Sequence, residues 1–163
     1  MRRPKNSDVP DIKACALLSS FFESLEDAEL SCTNLKLSRS NRATCLFLIK
    51  NRSKDAHNTQ NENPFINYYK SILVLNSEVS PYHSVLSDTI QLMLCEGSVN
   101  EHIISIKNWV IPQFTLKGSH LKNQCIGAEI ANVLVILKQK WIESDFKDTN
   151  EELIKYCHDY LNK

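Results

Sequence analysis

The sequence predicts an all-α fold of six or seven helices. Three observations carry this. Only three glycines and five prolines occur in 163 residues, so few positions demand the backbone freedom that hairpin-rich sheets use. Helix-opening signals recur along the chain, as capping boxes and as cap–proline pairs. Between them, apolar residues repeat at helical spacing. Agreement among these independent signals counts for more than any one alone.

Asp8-Val-Pro-Asp11 is read as an N-cap, an early-turn proline and an acidic third position. Cys15, Leu18, Phe22 and Leu25 then share a face, so a first helix is expected over about 9–29. Residues 31–40 are ambiguous between a helical turn and a strand. Ala43–Ile49 is a continuous apolar run, too short for its period to decide between strand and buried helix, and helix is favoured. Residues 51–63 are almost free of apolar side chains and predict a flexible exposed loop.

Asn63-Pro64 and Ser80-Pro81 open two further helices, and Gly97 ends the second. Ser98–Glu101 forms the pattern of a capping box. Its helix continues through Ile103, Ile106 and Trp109 to Pro112. Ser119 opens the longest expected helix, about 120–145. Val135 and Ile136 lie off its main apolar face, which predicts a central helix packed on several sides. Thr149–Glu152 is another capping box, before a last helix to the C-terminus.

One helical domain over 1–163 is expected, as a bundle or a short HEAT- or armadillo-like stack. The rival is a mixed α/β fold with strands near 43–50 and 70–76.

Nineteen basic residues balance nineteen acidic ones, so overall charge does not point to nucleic acid or an anionic membrane. The distribution is uneven. Lys36, Arg39, Arg42, Lys50, Arg52 and Lys54 fall in a stretch without an acid. No apolar run is long enough to cross a bilayer, and the N-terminus lacks a secretory apolar segment. An intracellular protein, cytoplasmic or nuclear, is expected. The six cysteines have no C-x-x-C pair and sit in apolar patterns, so they are read as reduced core residues.

No spacing matches a metal site, a phosphate-binding glycine loop or a nucleophile–base pair. Cys157-His158-Asp159 has the residue types of a triad, but consecutive helical side chains diverge. No catalytic residue, cofactor, metal or small-molecule substrate is therefore expected. Tyr69, Trp109, Phe114 and Leu116 are candidate contact residues, because large side chains of this kind anchor interfaces. The expected function is a protein–protein interaction module, a non-catalytic subunit or adaptor binding another protein or a second copy. The alternatives are a nucleic-acid-associated helical domain using the basic 36–54 segment, and an enzyme with a noncanonical site.

Overall fold

The computed structural model describes residues 9–52, 62–77 and 81–161. Among them are eight α-helices, one short 3-10 turn and no strand. The all-α expectation holds. The mixed alternative does not: 43–50 lies within the helix Arg39–Asn51, and 70–76 within Glu62–Asn76. The apolar runs that suggested strands are the buried stripes of these helices.

The chain divides into two compact units, Met1–Ile111 and Pro112–Lys163. The first is a bundle of six helices: α1 (Ala14–Ser19), α2 (Leu25–Asn34), α3 (Arg39–Asn51), α4 (Glu62–Asn76), α5 (Tyr82–Cys95) and α6 (Asn100–Asn108). α3 packs on α1, α2 and α5, while α5 also packs on α1, α4 and α6. The main core draws Leu48 from α3, Tyr69 and Leu73 from α4, Leu92 and Met93 from α5, and Ile103 and Ile106 from α6. A smaller cluster of Phe22, Ala28, Cys32 and Cys45 joins α2 to α3. All six cysteines are free thiols, and all but Cys95 are buried.

The expected first helix is two helices, and serine explains the division. Ser19 and Ser20 turn their hydroxyls back onto the carbonyls of Ala16 and Leu17, at 2.6 and 2.7 Å. Such bonds compete with continuation of the helix. Ser24 then caps α2 by accepting from the Asp27 N–H. α1 also starts later than about residue 9. The Lys13 N–H donates to Gln91 Oε1 at 2.7 Å, and the Asp11 carbonyl accepts from Gln91 Nε2 at 3.1 Å. These bonds hold the preceding segment to α5. Asp8, the expected cap, lies outside the described residues.

α2 ends with Lys36 in the left-handed region, at φ 51°. The Leu37 N–H reaches back to the Cys32 carbonyl, closing a Schellman-type end that usually takes glycine. α4 begins at Glu62, which puts Pro64 in its first turn, where proline is tolerated. Of the expected 51–63 loop, Asn51 ends α3, residues 62 and 63 begin α4, and 53–61 lie outside the described residues. The expected Ser98 capping box does not form. α6 begins at Asn100 without a side-chain cap, and Ser98 Oγ instead lies 3.5 Å from the Tyr69 hydroxyl.

The second unit contains the 3-10 turn Gly118–Leu121, α7 (Ala128–Glu143) and α8 (Asn150–Leu161). α7 starts eight residues later than expected, because Gly127, at φ 62° and ψ −134°, interrupts the backbone. It is not packed on all sides: Val133, Leu137 and Trp141 are buried, whereas Val135 is 70% exposed. The 3-10 turn packs against α7, and a Cβ at Gly118 would stand 2.9 Å from Ile130 Cγ2. The last capping box forms: Thr149 N–H donates to Glu152 Oε2 at 2.8 Å, and Glu152 N–H donates to Thr149 Oγ1 at 3.3 Å.

Gly97 ends α5 at φ 74°, with the Ser98 N–H on the Met93 carbonyl. A Cβ at Gly97 would meet no atom within 4 Å, so only backbone strain opposes substitution. Gly97→Ala is expected to cost about 1 kcal/mol and Gly97→Asn less, since asparagine tolerates this region. Thermal melts of the two variants give the comparison.

Candidate functional site

α3 carries the basic segment, and its N-terminus is built against the usual electrostatic preference. Ser38 caps it by accepting from the Asn41 N–H at 3.2 Å. The first turn holds no acid and begins at Arg39. Helix N-termini carry partial positive charge and favour anions. Lys36, Arg39 and Arg42 add formal charge to that same end. Arg39, Arg42, Leu46 and Lys50 stand at i, i+3, i+7 and i+11, so they share one face. Lys36, Arg39 and Lys50 are exposed, and Arg42 is half-buried.

Lys50 borders a groove of about 550 Å³ between α2, α3 and α4. Leu25 and Glu29 line it from α2, Leu46 and Phe47 from α3, and Leu75 from α4. Arg52 is used differently. Its guanidinium donates to the Phe22 carbonyl at 2.9 Å, so it ties the end of α3 to the α1–α2 connection. Lys54 lies outside the described residues.

The opposite face of α3 is held by packing and one polar bond. Cys45 and Leu48 are buried. The Cys45 thiol is pushed up to about 12, first by burial and then by the neighbouring Cys32 thiol. It stays protonated and inert at neutral pH. Thr44 Oγ1 donates to Asp88 Oδ1 on α5 at 2.7 Å.

The four aromatic and aliphatic candidates separate. Tyr69 is fully buried and offers no surface to a partner. Its hydroxyl donates to Glu96 Oε2 at 2.5 Å, and burial, then Glu96, holds its pKa high. Trp109 is half-buried, with Lys70 Nζ 5.6 Å from its ring centroid. Phe114 packs on Trp141 with centroids 5.2 Å apart, and Leu116 is buried, so both fill the second unit. Cys157 is buried in α8, whereas the exposed His158 and Asp159 face each other at 3.8 Å. Among the described residues, no group of three or more His, Cys, Asp or Glu could hold a metal ion. No helix there is long and apolar enough to cross a membrane.

A second set of basic side chains is invisible to sequence spacing. Lys13, His83 and Lys107 line one cleft although they lie far apart in the chain. Their only local signal is the run His83, Ser87, Gln91, one ridge of α5 at four-residue spacing.

An all-helical chain with cationic faces on its first unit is therefore the class that fold and geometry define. No family model matches it. It is similar to the mitochondrial CCA tRNA nucleotidyltransferase 1 of Homo sapiens, at 26% identity over 156 residues. That alignment covers 93% of this chain and 34% of the relative. The Danio rerio enzyme of the same name is 26% identical over 152 residues, 92% of this chain and 34% of the relative. The Mus musculus enzyme is 25% identical over 154 residues, 93% and 34%. The chain thus spans about a third of the length of the curated relatives it matches. These matches correct the expectation of a non-catalytic adaptor and of a protein outside enzymology. All three relatives are nucleotidyltransferases, and the two alternatives, nucleic-acid association and an enzyme, fit them better.

Asp88 supplies a pH test of how α3 is held. Burial raises its carboxyl above the ordinary 3.8, although the Thr44 hydroxyl and the Lys13 charge both lower it. A raised folded value means that the fold keeps a proton the unfolded chain has released. This contribution to stability is complete below 3.8 and is lost as pH rises through the raised folded value. Asp88→Asn is expected to flatten the fall in stability with rising pH across the mildly acid range. Urea unfolding at a series of pH values measures it, and an unchanged slope refutes it.

Proposed function

We propose that this chain is the substrate-holding helical part of a nucleotidyltransferase acting on tRNA, and that the α3 face of its first unit grips tRNA phosphates. The observation that carries the reading is the match, over more than nine-tenths of this chain, to three enzymes named for tRNA. The cationic face of α3 supports it. Three positive side chains share that face, and the capped helix end adds donors and partial positive charge.

The mechanism asked of this chain is electrostatic and positional. Arginine offers a planar fork of donors that matches phosphate geometry, and lysine adds a mobile charge. Each phosphate neutralised releases condensed counterions, so affinity falls steeply with salt. Such contacts fix the register of an RNA without reading its bases. Holding the body of a tRNA in one orientation makes nucleotidyl transfer at a separate reacting end effectively intramolecular.

Filter binding of a tRNA transcript, between about 50 and about 200 mM salt, tests this directly. The chain should bind at low salt and weaken steeply as salt rises. Replacing Arg39, Arg42 and Lys50 together by alanine should weaken binding at least tenfold. The salt slope should fall by about one for each phosphate that is no longer neutralised. An unchanged helical circular dichroism spectrum would show that the variant still folds. Absence of tRNA binding at low salt would sink the proposal.

A further inference from the structure

The cleft bordered by Lys13, His83 and Lys107 lies apart from the α3 face and has its own construction. Its volume is about 450 Å³, within the range of small-ligand sites. α5 supplies two adjacent stripes. His83, Ser87 and Gln91 form the polar one, and Leu86 and Ile90 form the apolar one. Lys13 is set over this helix by the buried Gln91 amide, which bonds its backbone N–H, and its Nζ lies 3.1 Å from Ser87 Oγ. Among the described residues, Asp11 is the one acid lining the cleft, and its carbonyl is bonded to Gln91 Nε2. Asp88 is also near Lys13 but turns its carboxylate to Thr44. Two lysines and an imidazole thus border a cleft with an apolar side, a pairing that suits a phosphate joined to a base.

Lys107 also lines a second cleft of about 500 Å³, whose walls include Trp109, Ile111, Ser77 and Asn108. One cation serving two neighbouring clefts, one aliphatic-walled and one aromatic-walled, matches a phosphate that links two bases. A free mononucleotide would use only one of them. A duplex would keep its bases stacked on each other and leave both apolar walls empty.

We propose that the two clefts bind two successive unpaired nucleotides of an RNA strand, with the linking phosphate at Lys107, one base against Leu86 and Pro10 above the buried Ile90, and the next on the Trp109 ring beside Lys70. This site goes beyond the α3 face, although it rests on the same reading of the chain as an RNA binder. Lys13 and His83 would contact the phosphate on the far side of the first base.

Fluorescence anisotropy with a short labelled oligoadenylate, run beside the full tRNA transcript, tests the site. The oligoadenylate should bind the wild-type chain. Lys107→Ala and Trp109→Leu should each weaken it about tenfold, and Trp109→Phe should recover most of the loss. The Arg39, Arg42 and Lys50 alanine variant should lose tRNA affinity and the non-specific, salt-sensitive part of oligoadenylate binding, while keeping the part that Lys107→Ala and Trp109→Leu remove. If tRNA binds and the oligoadenylate does not, or if Lys107→Ala and Trp109→Leu leave its affinity unchanged, the clefts are not a strand site, although tRNA holding by α3 stands. Competition by AMP at the concentration effective for the oligoadenylate would assign the cleft to a free nucleotide and overturn the strand. If neither RNA binds, both proposals fall, and the tRNA arm reports the failure of the broader one separately.

Discussion

The buried amide of Gln91 is the interaction on which the arrangement of the first unit most depends. Gln91 sits in the middle of α5 and is almost wholly excluded from solvent. It accepts from the Lys13 N–H and donates to the Asp11 carbonyl. A hydrogen bond of this kind contributes only about 1 kcal/mol net, but leaving the groups buried and unpaired costs about 1–3 kcal/mol each. The amide can be satisfied only if the segment before α1 lies in register along α5. That segment in turn sets where α1 starts, and α1 packs on both α3 and α5. The Thr44–Asp88 bond makes the second polar link, between α3 and α5 themselves. Apolar packing can tolerate small slides, whereas two polar links at different heights along α5 select one register.

Helices with both a strong apolar stripe and a local terminus were legible in the sequence. The Thr149–Glu152 box and the Gly97 stop are set by groups within a few residues of each other, and both form as their spacing implies. The Ser98 pattern is equally good locally, yet Ser98 faces the Tyr69 hydroxyl, a partner 29 positions away. The same kind of distant partner explains the start of α1, since Gln91 is 78 positions from Lys13. Local capping rules therefore hold until a buried side chain elsewhere makes a competing bond. Val135 shows the reverse error: a large apolar residue on a second side of a helix suggested burial, yet it lies in solvent. Isolated exposed hydrophobes are ordinary and mark no packing partner.

The candidate site was half legible. The run of bases from Lys36 to Lys50 is a sequence property, and helical geometry alone places Arg39, Arg42 and Lys50 together. Their separation from Arg52 was not readable, because it depends on a carbonyl 30 positions earlier. Lys13, His83 and Lys107 come from the α1 lead-in, α5 and α6, so only the fold assembles them. Tyr69 depends on the fold in the same way: it is buried, and Glu96 supplies its hydroxyl with a partner inside the unit.

Equal totals of acid and base concealed a strongly polarised pair of helices. α2 opens with Glu26 and Asp27, which suit the positive end of a helix. α3 opens with Arg39 and carries Arg42 in its second turn, with no acid in the first. Placing like charge at a helix end opposes the macrodipole by about 0.3–1 kcal/mol at exposed positions. Stability alone would favour exchanging the two sets of charges. A phosphate backbone reverses that balance, because a polyanion meets side-chain charge, helix-end N–H groups and dipole acting in the same direction. On the proposed reading, the cost is borne by the free chain and recovered on binding RNA. The local sign pattern, and not the net charge, is therefore the quantity that bears on whether this protein grips RNA.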